Sequence, residues 1–436
     1  MKTANPLILA LRACFVLAAL LQPQARANAD VWRARNPKIL IFMDEAQNDH
    51  LRAYGVAYWC LQPPRAYRVQ WLLNYRGGSF LADDSRDVRD YAARMGVSFE
   101  ILSTDEANSV YRAIENVNAE VVLLEKAPGV AVYVPEHAEP WDDAVRITLD
   151  YAKIPYDTLW DREVLAGQLE KYDWIHLHHE DFSGQFGKFY ANFRTADWYV
   201  RTVEVSRRVA AELGFDSVRK EKRAVALAIK RYVSGGGFLF GMCSVPDSLD
   251  VALAADGVDV VPPEIDGTPL TPGADDLLDF SQTFAFHNFS LVADAREYEI
   301  SDIDVTPPNL NNPALVPDFA LFEFSAKQDP VLSIFVQNHK NAVADFLGQT
   351  TAFRRDLIRD DVVILADTPG TNRVKYVHGN VGGGSFTFLG GHDPEDFAHY
   401  VGEKPTRIEL HKNSPGYRLI LNNVLFPAVK KKEKKT

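Results

Sequence analysis

Two stretches of sequence decide the predicted fold: SGGGFLFGMCSVPDSLD at 234–250 and GGGSFTFLGGHDPEDF at 382–397. Each runs from a triple glycine through a short apolar segment to a chemically reactive side chain, Cys243 in the first and His392 in the second. A short, unbroken apolar run between breakers is typical of a strand buried on both faces, as in a parallel sheet. We therefore expect both residues to follow parallel strands and to meet at one edge of a sheet.

The remainder of the chain extends this pattern in both directions. Strand-like apolar runs alternate with helix-like segments, first at 38–43, 69–74, 97–102 and 120–124, and again from residue 130 onward. Such alternation is typical of βαβ units. We predict an α/β protein with doubly wound parallel sheets of the flavodoxin-like type. Its expected parts are two packed α/β units at 30–127 and 128–428, an irregular insertion at about 266–360, and a basic tail at 429–436.

Composition excludes several classes of protein. The chain has 436 residues, is 47% apolar, and contains only 3 cysteines, which rules out a disordered tail and a disulfide scaffold. Its net charge of −12 argues against a nucleic-acid-binding surface. The closing run KKKEKKT is typical of a solvated end rather than of a nucleic-acid arm.

The first 29 residues have the features of a signal peptide. Lys2 and Arg12 precede a short apolar run, and Ala27-Asn28-Ala29 supplies a small-residue cleavage site. No later stretch reaches the roughly 20 apolar residues of a membrane helix. We expect export to the periplasm or beyond, with no transmembrane segment in the mature chain.

Cys243 is the predicted nucleophile. A cysteine between a strand and a helix projects from the sheet edge, where backbone N–H groups and the helix N-terminus stabilise a thiolate and an oxyanion. Two structural alternatives remain open. Cys243 could simply end a core strand, or it could form a disulfide with Cys60 after export.

His392 is the predicted base, with Glu395 to orient it and Asp393 as an alternative orienting or binding carboxylate. A thiol nucleophile needs a base, and the base needs an orienting group. One strand end supplies both the base and the orienting carboxylate. The structural alternative is a surface turn in which Asp393-Pro394 starts a helix.

A histidine-rich segment, WIHLHHED at 174–181, forms a third candidate. Period two places His176 and His178 on one face of a strand, and the residues that follow would lie where doubly wound sheets bind ligands. We predict a substrate-lining loop built from His178, His179, Glu180, Asp181 and Gly184. A metal site completed by His339, His378 or His392 is the alternative; we assign no metal and no cofactor.

Asp44, Glu45 and Arg76 are weaker binding candidates. The two carboxylates follow the first predicted strand, where they could bind a ligand or cap the next helix. Arg76 precedes Gly77-Gly78 and could bind an anion or close a tight turn.

The elbow Gly241-x-Cys243, followed on a later strand by His392 and Glu395, resembles the class I glutamine amidotransferase-like fold. The form GGHDPEDF and the helix YRLILNNVLF are most similar to its ThuA-like branch. This resemblance implies a Cys-His-Glu hydrolase or amidohydrolase acting on an amide or a related carbonyl. Because His392 and Glu395 are three residues apart rather than two, a non-catalytic envelope protein that binds a sugar, peptide or protein remains the alternative.

Nearly the whole mature chain is similar to a bacterial family often labelled asparagine synthetase B. The segments that carry this likeness are HLRAYGVAYW, WLLNYRGGSF, LHHEDFSGQFGKF and QNHKNAVADFLGQTTAF. The label implies glutamine hydrolysis, but the chain has neither an N-terminal catalytic cysteine nor an SGG-x-DS loop for ATP. We therefore expect a small-molecule or carbohydrate ligand rather than asparagine synthesis, and no nucleic acid.

Overall fold

The computed structural model describes residues 32–135 and 143–429. The predicted signal peptide and the KKKEKKT run lie outside the described residues. The N-terminal half is built from β1 (Lys38–Ile41), α1 (His50–Leu61), β2 (Val69–Leu73), β3 (Ser79–Asp83), α2 (Arg86–Met95), β4 (Glu100–Leu102), α3 (Thr104–Glu115) and β5 (Glu120–Leu124).

The first sheet has the order β4-β1-β3-β2-β5, and every neighbouring pair is antiparallel. The prediction of a parallel sheet in this half was therefore wrong. The cause is β3, a strand that we did not predict. It returns from a turn in which Asn74, Arg76, Gly77 and Gly78 all have positive φ, and it inserts between β1 and β2.

Burial on both faces explains why these antiparallel strands look parallel in sequence. Ile39, Trp71 and Phe80 pack on one side of the sheet in the core that includes α1 and α2. Leu40 and Leu72 pack on the other side against α3. An unbroken apolar run reports two covered faces, and antiparallel strands can meet that condition as well.

The second half follows with β6 (Val130–Tyr133), α4 (Ala144–Ala152), β7 (Asp157–Leu159), α5 (Asp161–Leu165), β8 (Trp174–Leu177), α6 (Tyr190–Phe193), α7 (Asp197–Glu212), α8 (Val218–Ser234), β9 (Phe238–Met242), α9 (Val245–Ala254) and α10 (Pro263–Asp266). It continues with β10 (Phe319–Leu321), α11 (Pro330–Phe335), β11 (Ala342–Val343), β12 (Phe353–Arg354), β13 (Val363–Asp367), β14 (Arg373–Val381), β15 (Gly384–Leu389) and α12 (Pro415–Leu425).

The second sheet is mixed, which confirms the general α/β prediction. Its order is β11-β10-β13-β14-β15-β9-β8-β6-β7, with β12 paired to β14. Strands β7, β6, β8, β9 and β15 are parallel neighbours, and the pairings from β15 to β11 are antiparallel. The predicted insertion at about 266–360 is irregular up to β10, but β10 and β11 then extend this sheet.

The two halves share an apolar core. One cluster contains Ile39 and Tyr54 of the first half together with Phe238 and Leu419 of the second. Arg418 of α12 is fully buried between them. Within the described part of the chain, none of the helices combines the length and apolar character needed to cross a bilayer.

Candidate functional site

Cys243 and the segment that carries His392 lie at the same edge of the second sheet. Strands β9 and β15 are parallel neighbours in a register that pairs Met242 with Leu389. One residue further on, the Cys243 N–H donates to the Gly391 carbonyl at 3.1 Å. The juxtaposition of these two strand ends therefore follows from the backbone itself.

Cys243 occupies a sharp turn between β9 and α9. Its φ of +54° lies in the left-handed region, which costs a residue other than glycine on the order of 1 kcal/mol. A side chain at Gly241 would approach the Phe388 ring to 2.8 Å, so close strand packing requires glycine there. The Cys243 sulfur accepts the Gln349 N–H at 3.4 Å, and the residue keeps only 4% of its surface exposed.

Cys60 has a different environment from Cys243. It lies within α1, where burial raises the pKa of its thiol to about 12. The two cysteines are separate thiols, so the disulfide alternative is not what the structure shows.

Three histidines form a row that ends at His392. His176 Nδ1 lies 3.1 Å from the Phe240 carbonyl oxygen, and its Nε2 lies 3.3 Å from Nδ1 of His178. His178 Nε2 in turn lies 3.0 Å from Nδ1 of His392. Burial lowers the pKa of His178 well below its ordinary value, and the nearby charge of Asp143 acts in the opposite direction.

The row determines which nitrogen of each ring carries a proton. A carbonyl oxygen accepts only, so His176 donates from Nδ1 to Phe240. His178 then donates from Nδ1 and accepts at Nε2, and His392 donates from Nδ1. This assignment, inferred from the hydrogen-bond pattern, leaves the lone pair of His392 on Nε2.

Asp143 stands behind this row, and sequence reasoning missed it. Its Oδ1 lies 3.4 Å from His178 Nδ1 and 3.7 Å from His176 Nε2. The same oxygen accepts the N–H groups of Val145 and Arg146, which caps α4. A carboxylate N-cap after a parallel strand was the signal that could have identified Asp143.

A pocket opens between the ends of β6 and β8, where the chain order of the parallel strands changes direction. Doubly wound sheets bind ligands at such a switch point. The pocket is lined by Tyr133, Val134, Pro135, Asp143, Arg146, His178, His179 and Glu180. Two of the predicted binding histidines therefore face a concave surface.

His179 and Glu180 both point towards this pocket. The Nδ1 atom of His179 is buried and has no hydrogen-bond partner in the described part of the chain. Burial raises the pKa of Glu180, although Lys222, 3.9 Å away, acts in the opposite direction. Both side chains thus present ligand atoms that the surrounding protein does not fully use.

Asp181 and Gly184 shape the following loop. The Asp181 carboxylate accepts the N–H of Ser183 at 2.7 Å and that of Gly187 at 2.9 Å. Gly184 has a φ of +85°, and a Cβ there would lie 2.8 Å from the Arg219 backbone. These two residues position the loop and are themselves occupied by protein contacts.

Glu395 and Asp393 are engaged elsewhere than on His392. Glu395 pairs with His411 at 2.7 Å. Asp393 is buried and accepts the Tyr417 hydroxyl at 2.6 Å and the Glu395 N–H at 3.0 Å. The Nδ1 atom of His392, where we expected an orienting carboxylate, faces His178 instead.

The other expected metal partners lie away from the row. His339 stacks on His50 at 4.1 Å and contacts Arg418. His378 lies within β14, where its Nδ1 contacts the Phe386 carbonyl at 2.9 Å. Of the three partners considered, only His392 joins His178 and His179, with one ligand atom from each ring within 4.8 Å of the others.

The candidates at the first sheet, Asp44, Glu45 and Arg76, are all engaged in ion pairs. Arg76 pairs with Asp44 at 2.6 Å and with Glu100 at 3.0 Å. Glu45 pairs with Lys340 at 2.6 Å. Asp44, Glu45 and Arg76 therefore form surface ion pairs on the N-terminal side of the molecule.

No protein-family model matches this chain, and no curated protein matches it. Among solved structures it is similar to the cytoplasmic protein STM3548 from Salmonella typhimurium, with 11% identity, a TM-score of 0.34, and coverage of 70% of this chain and 100% of that one. It is also similar to the cytoplasmic protein STM1381 from Salmonella typhimurium LT2, with 13% identity, a TM-score of 0.33, and coverage of 69% of this chain and 100% of that one. The similarity to Gan42B, a GH42 beta-galactosidase, has 10% identity, a TM-score of 0.28, and coverage of 71% of this chain and 31% of that one. TM-scores this low leave fold class and function to the geometry.

Proposed function

We propose that this protein is an exported cysteine-dependent hydrolase that cleaves an amide or a related carbonyl compound. The observation that carries the proposal is the strained turn at Cys243, whose N–H bonds to the carbonyl next to His392. A left-handed cysteine between a strand and a helix is the arrangement that a nucleophile elbow requires. Residues held in strained backbone conformations of this kind cluster at active sites.

The proposed scaffold is flavodoxin-like, of the class I glutamine amidotransferase-like type. The parallel strands lie side by side as β7-β6-β8-β9-β15. Numbered in chain order among themselves, they read 2-1-3-4-5, which is the flavodoxin-like order. In this scheme the nucleophile follows the fourth parallel strand and the base follows the fifth.

The proposed reaction begins when Nε2 of His392 takes the thiol proton of Cys243. The sulfur then attacks the carbonyl carbon, and the oxyanion forms near the N-terminus of α9. His392 returns the proton to the leaving nitrogen, and water hydrolyses the acyl-enzyme with His392 again as base. His178 holds His392 from behind at 3.0 Å, with Asp143 next in line, so this pair replaces the predicted Glu395.

Selective alkylation tests the nucleophile. We expect iodoacetamide to modify Cys243 in the folded protein much faster than Cys60, and His392→Ala to slow that modification. Peptide mapping by mass spectrometry measures both sites, and Cys60→Ser is the matched control. Equal and slow labelling of the two thiols contradicts the proposal.

Turnover tests the reaction class. The intact mature protein is incubated with primary amides, including glutamine and asparagine, and ammonia release is measured. We expect release that Cys243→Ala abolishes and Cys60→Ser preserves. Release that survives Cys243→Ala would assign the chemistry to other residues.

A binding protein is the second candidate, favoured by a group of aromatic side chains. Phe189 packs against Trp198 at 5.5 Å and against Tyr298 at 5.6 Å, and the last two are 38% and 42% exposed. Gln349 joins them to the thiol, since its side chain donates to the Tyr298 carbonyl and its backbone N–H to Cys243. If Cys243→Ala retains every cellular phenotype, this candidate is favoured over the hydrolase.

Export is part of the proposal and has its own test. The features of residues 1–29 support cleavage after Ala29. We expect the protein from its natural host in the periplasmic or extracellular fraction, with Asp30 as its first residue. Recovery of the uncleaved chain from the cytoplasm would contradict export.

A further inference from the structure

His178, His179 and His392 bring three imidazoles together from two strand ends. One ring nitrogen from each lies within 4.8 Å of the other two. His178 Nε2 and His392 Nδ1 are 3.0 Å apart, and Nδ1 of His179 is buried without a hydrogen-bond partner in the described residues. The hydrogen-bonded row accounts for the contact between His178 and His392, but it does not include His179.

These separations suit a transition metal. Two imidazoles on a tetrahedral ion, with bonds of about 2.0–2.1 Å, hold their ligating nitrogens about 3.3 Å apart. The 3.0 Å pair is close to that value, and modest rotation would bring in the third ring. An all-nitrogen set favours zinc, copper, nickel or iron(II) over magnesium and calcium, which prefer oxygen.

We propose that His178, His179 and His392 bind one divalent transition-metal ion, with Zn²⁺ the first candidate. His178 and His179 line the pocket, so we place the fourth coordination position on the pocket side, where there is room for a water molecule. Three protein ligands with one open position is the composition of a catalytic or regulatory zinc site rather than of a closed structural one.

Asp143 supports this site as a positioning residue. Its Oδ1 lies 3.4 Å from His178 Nδ1, on the ring nitrogen opposite the proposed metal bond. A carboxylate behind a ligating histidine fixes the ring orientation and raises its basicity. Asp143 is itself held by the first N–H groups of α4, which keeps the arrangement rigid.

Two neighbouring groups fit a metal less well. Asp143, His176 and His178 also lie within reach of one another, but both nitrogens of His176 already contact Phe240 and His178 inside the sheet. The set of Asp396, His399 and Glu403 includes an exposed carboxylate and lies at the surface.

His392 cannot bind a metal ion through Nδ1 and act as the base for the Cys243 thiol at the same time. A ring that holds a metal at Nδ1 carries its proton on Nε2 and cannot accept the thiol proton. This consequence rests on the proposed hydrolase: metal binding is expected to inhibit hydrolysis, and a chelator to restore it. The binding measurement below does not depend on that activity.

The test uses the intact, untagged mature protein, stripped with a chelator and titrated with Zn²⁺ against a chromophoric competitor. We expect one ion per chain, and His179→Ala should weaken binding at least tenfold. Asp143→Asn should weaken it by about tenfold to a hundredfold. The matched control, His287→Ala, changes a histidine away from the row and should bind as the wild type does.

A second measurement distinguishes loss of the metal site from unfolding of the variant. Co²⁺ in place of Zn²⁺ should show the visible absorption of a tetrahedral site, lost in His179→Ala and present in Cys243→Ala. Circular dichroism verifies that each variant is folded. No stoichiometric Zn²⁺ binding by the folded wild type, or binding unchanged in both His179→Ala and His392→Gln, overturns the metal site. Metal binding by a protein without amidase activity would overturn only the hydrolase.

Discussion

The two sheets of this protein use the polar residues at their strand ends in different ways. At the first sheet, Arg76 neutralises Asp44 and Glu100. At the second, the rings of His178, His179 and His392 face one another, and the Nδ1 atom of His179 has no hydrogen-bond partner among the described residues. The parallel strands β8, β9 and β15 bring unlike reactive groups to one edge, whereas the antiparallel sheet separates successive strand ends. Incomplete pairing, rather than polarity alone, therefore distinguishes the candidate site from the surface.

The largest expected effect sharpens this contrast at the thiol. Cys243→Ala should reduce amide hydrolysis about 10³-fold or more, because the nucleophile itself is removed. Stability should change little, since a small side chain remains at the same strained φ. Steady-state ammonia release and a urea unfolding curve measure the two quantities; activity within tenfold of wild type would remove Cys243 from the reaction.

The next effect tests the region where the two halves meet. Arg418 donates to the Met43 carbonyl at 3.0 Å and to the Gly77 carbonyl at 2.6 Å. Arg418→Leu leaves these buried acceptors unpaired and should lower the free energy of unfolding by about 3–5 kcal/mol. Chemical denaturation measures the loss, and a change below about 1 kcal/mol would show that the contact is dispensable.

A pH effect is expected beside the Cys243 turn, in α9. Burial raises the pKa of Asp247 to about 7, although Ser301 donates to its carboxylate. The folded state thus keeps this proton when the unfolded chain, with its lower pKa, has lost it. The resulting stability is fully present below about pH 4 and is lost, by about 4 kcal/mol in all, as the pH rises from about 4 through about 7.

Asp247→Asn is the control for that effect, because an amide cannot ionise. Urea unfolding at pH 5 and pH 8 should show a smaller pH dependence in the variant than in the wild type. Equal slopes in the two proteins would assign the effect to other groups.

The opposite pH dependence is expected on the side of the first sheet. Burial lowers the pKa of His50 to about 4, and the charge of Arg418 acts in the same direction. The unfolded chain therefore gains this proton first, so stability present above about pH 6.5 is lost, by about 3 kcal/mol, as the pH falls towards 4. His50→Gln should flatten the stability curve between pH 6.5 and 4.5; an unchanged curve would contradict the assignment.

The smallest effect tests the satisfied ion pairs. Arg76→Ala should cost about 0.5 kcal/mol, since exposed pairs contribute little. It should leave both amide hydrolysis and Zn²⁺ binding unchanged. A tenfold loss in either would mean that the first sheet contributes to the site.

Local patterns made much of the fold predictable. The helix His50–Leu61 starts directly after its N-cap, Asp49, and Ser414 caps α12 with Pro415 at its first position. These features depend on neighbouring residues in the chain. Strand direction in the first sheet does not, because it depends on the unforeseen β3 that returns between β1 and β2.

The site was predictable only where it lies directly on a strand end. Cys243, His392, His178 and His179 satisfy that condition, and the sequence singles them out. Their partners do not. Gln349 comes from the irregular segment, and sequence proximity suggested Glu395, although Glu395 in fact pairs with His411. Which carboxylate supports a histidine is decided by packing across the sheet, over separations that a linear pattern does not contain.

Strand β9 positions two different groups, because Phe240 lies three residues before Cys243. The Phe240 carbonyl oxygen contacts the ring of His176, and Cys243 directly follows the last residue of the same strand. A one-residue shift in the register of β9 would move Cys243 and would also take the Phe240 carbonyl away from Nδ1 of His176. In the proposed mechanism, a single strand therefore sets the position of the thiol and of the first histidine in the row that leads to its base.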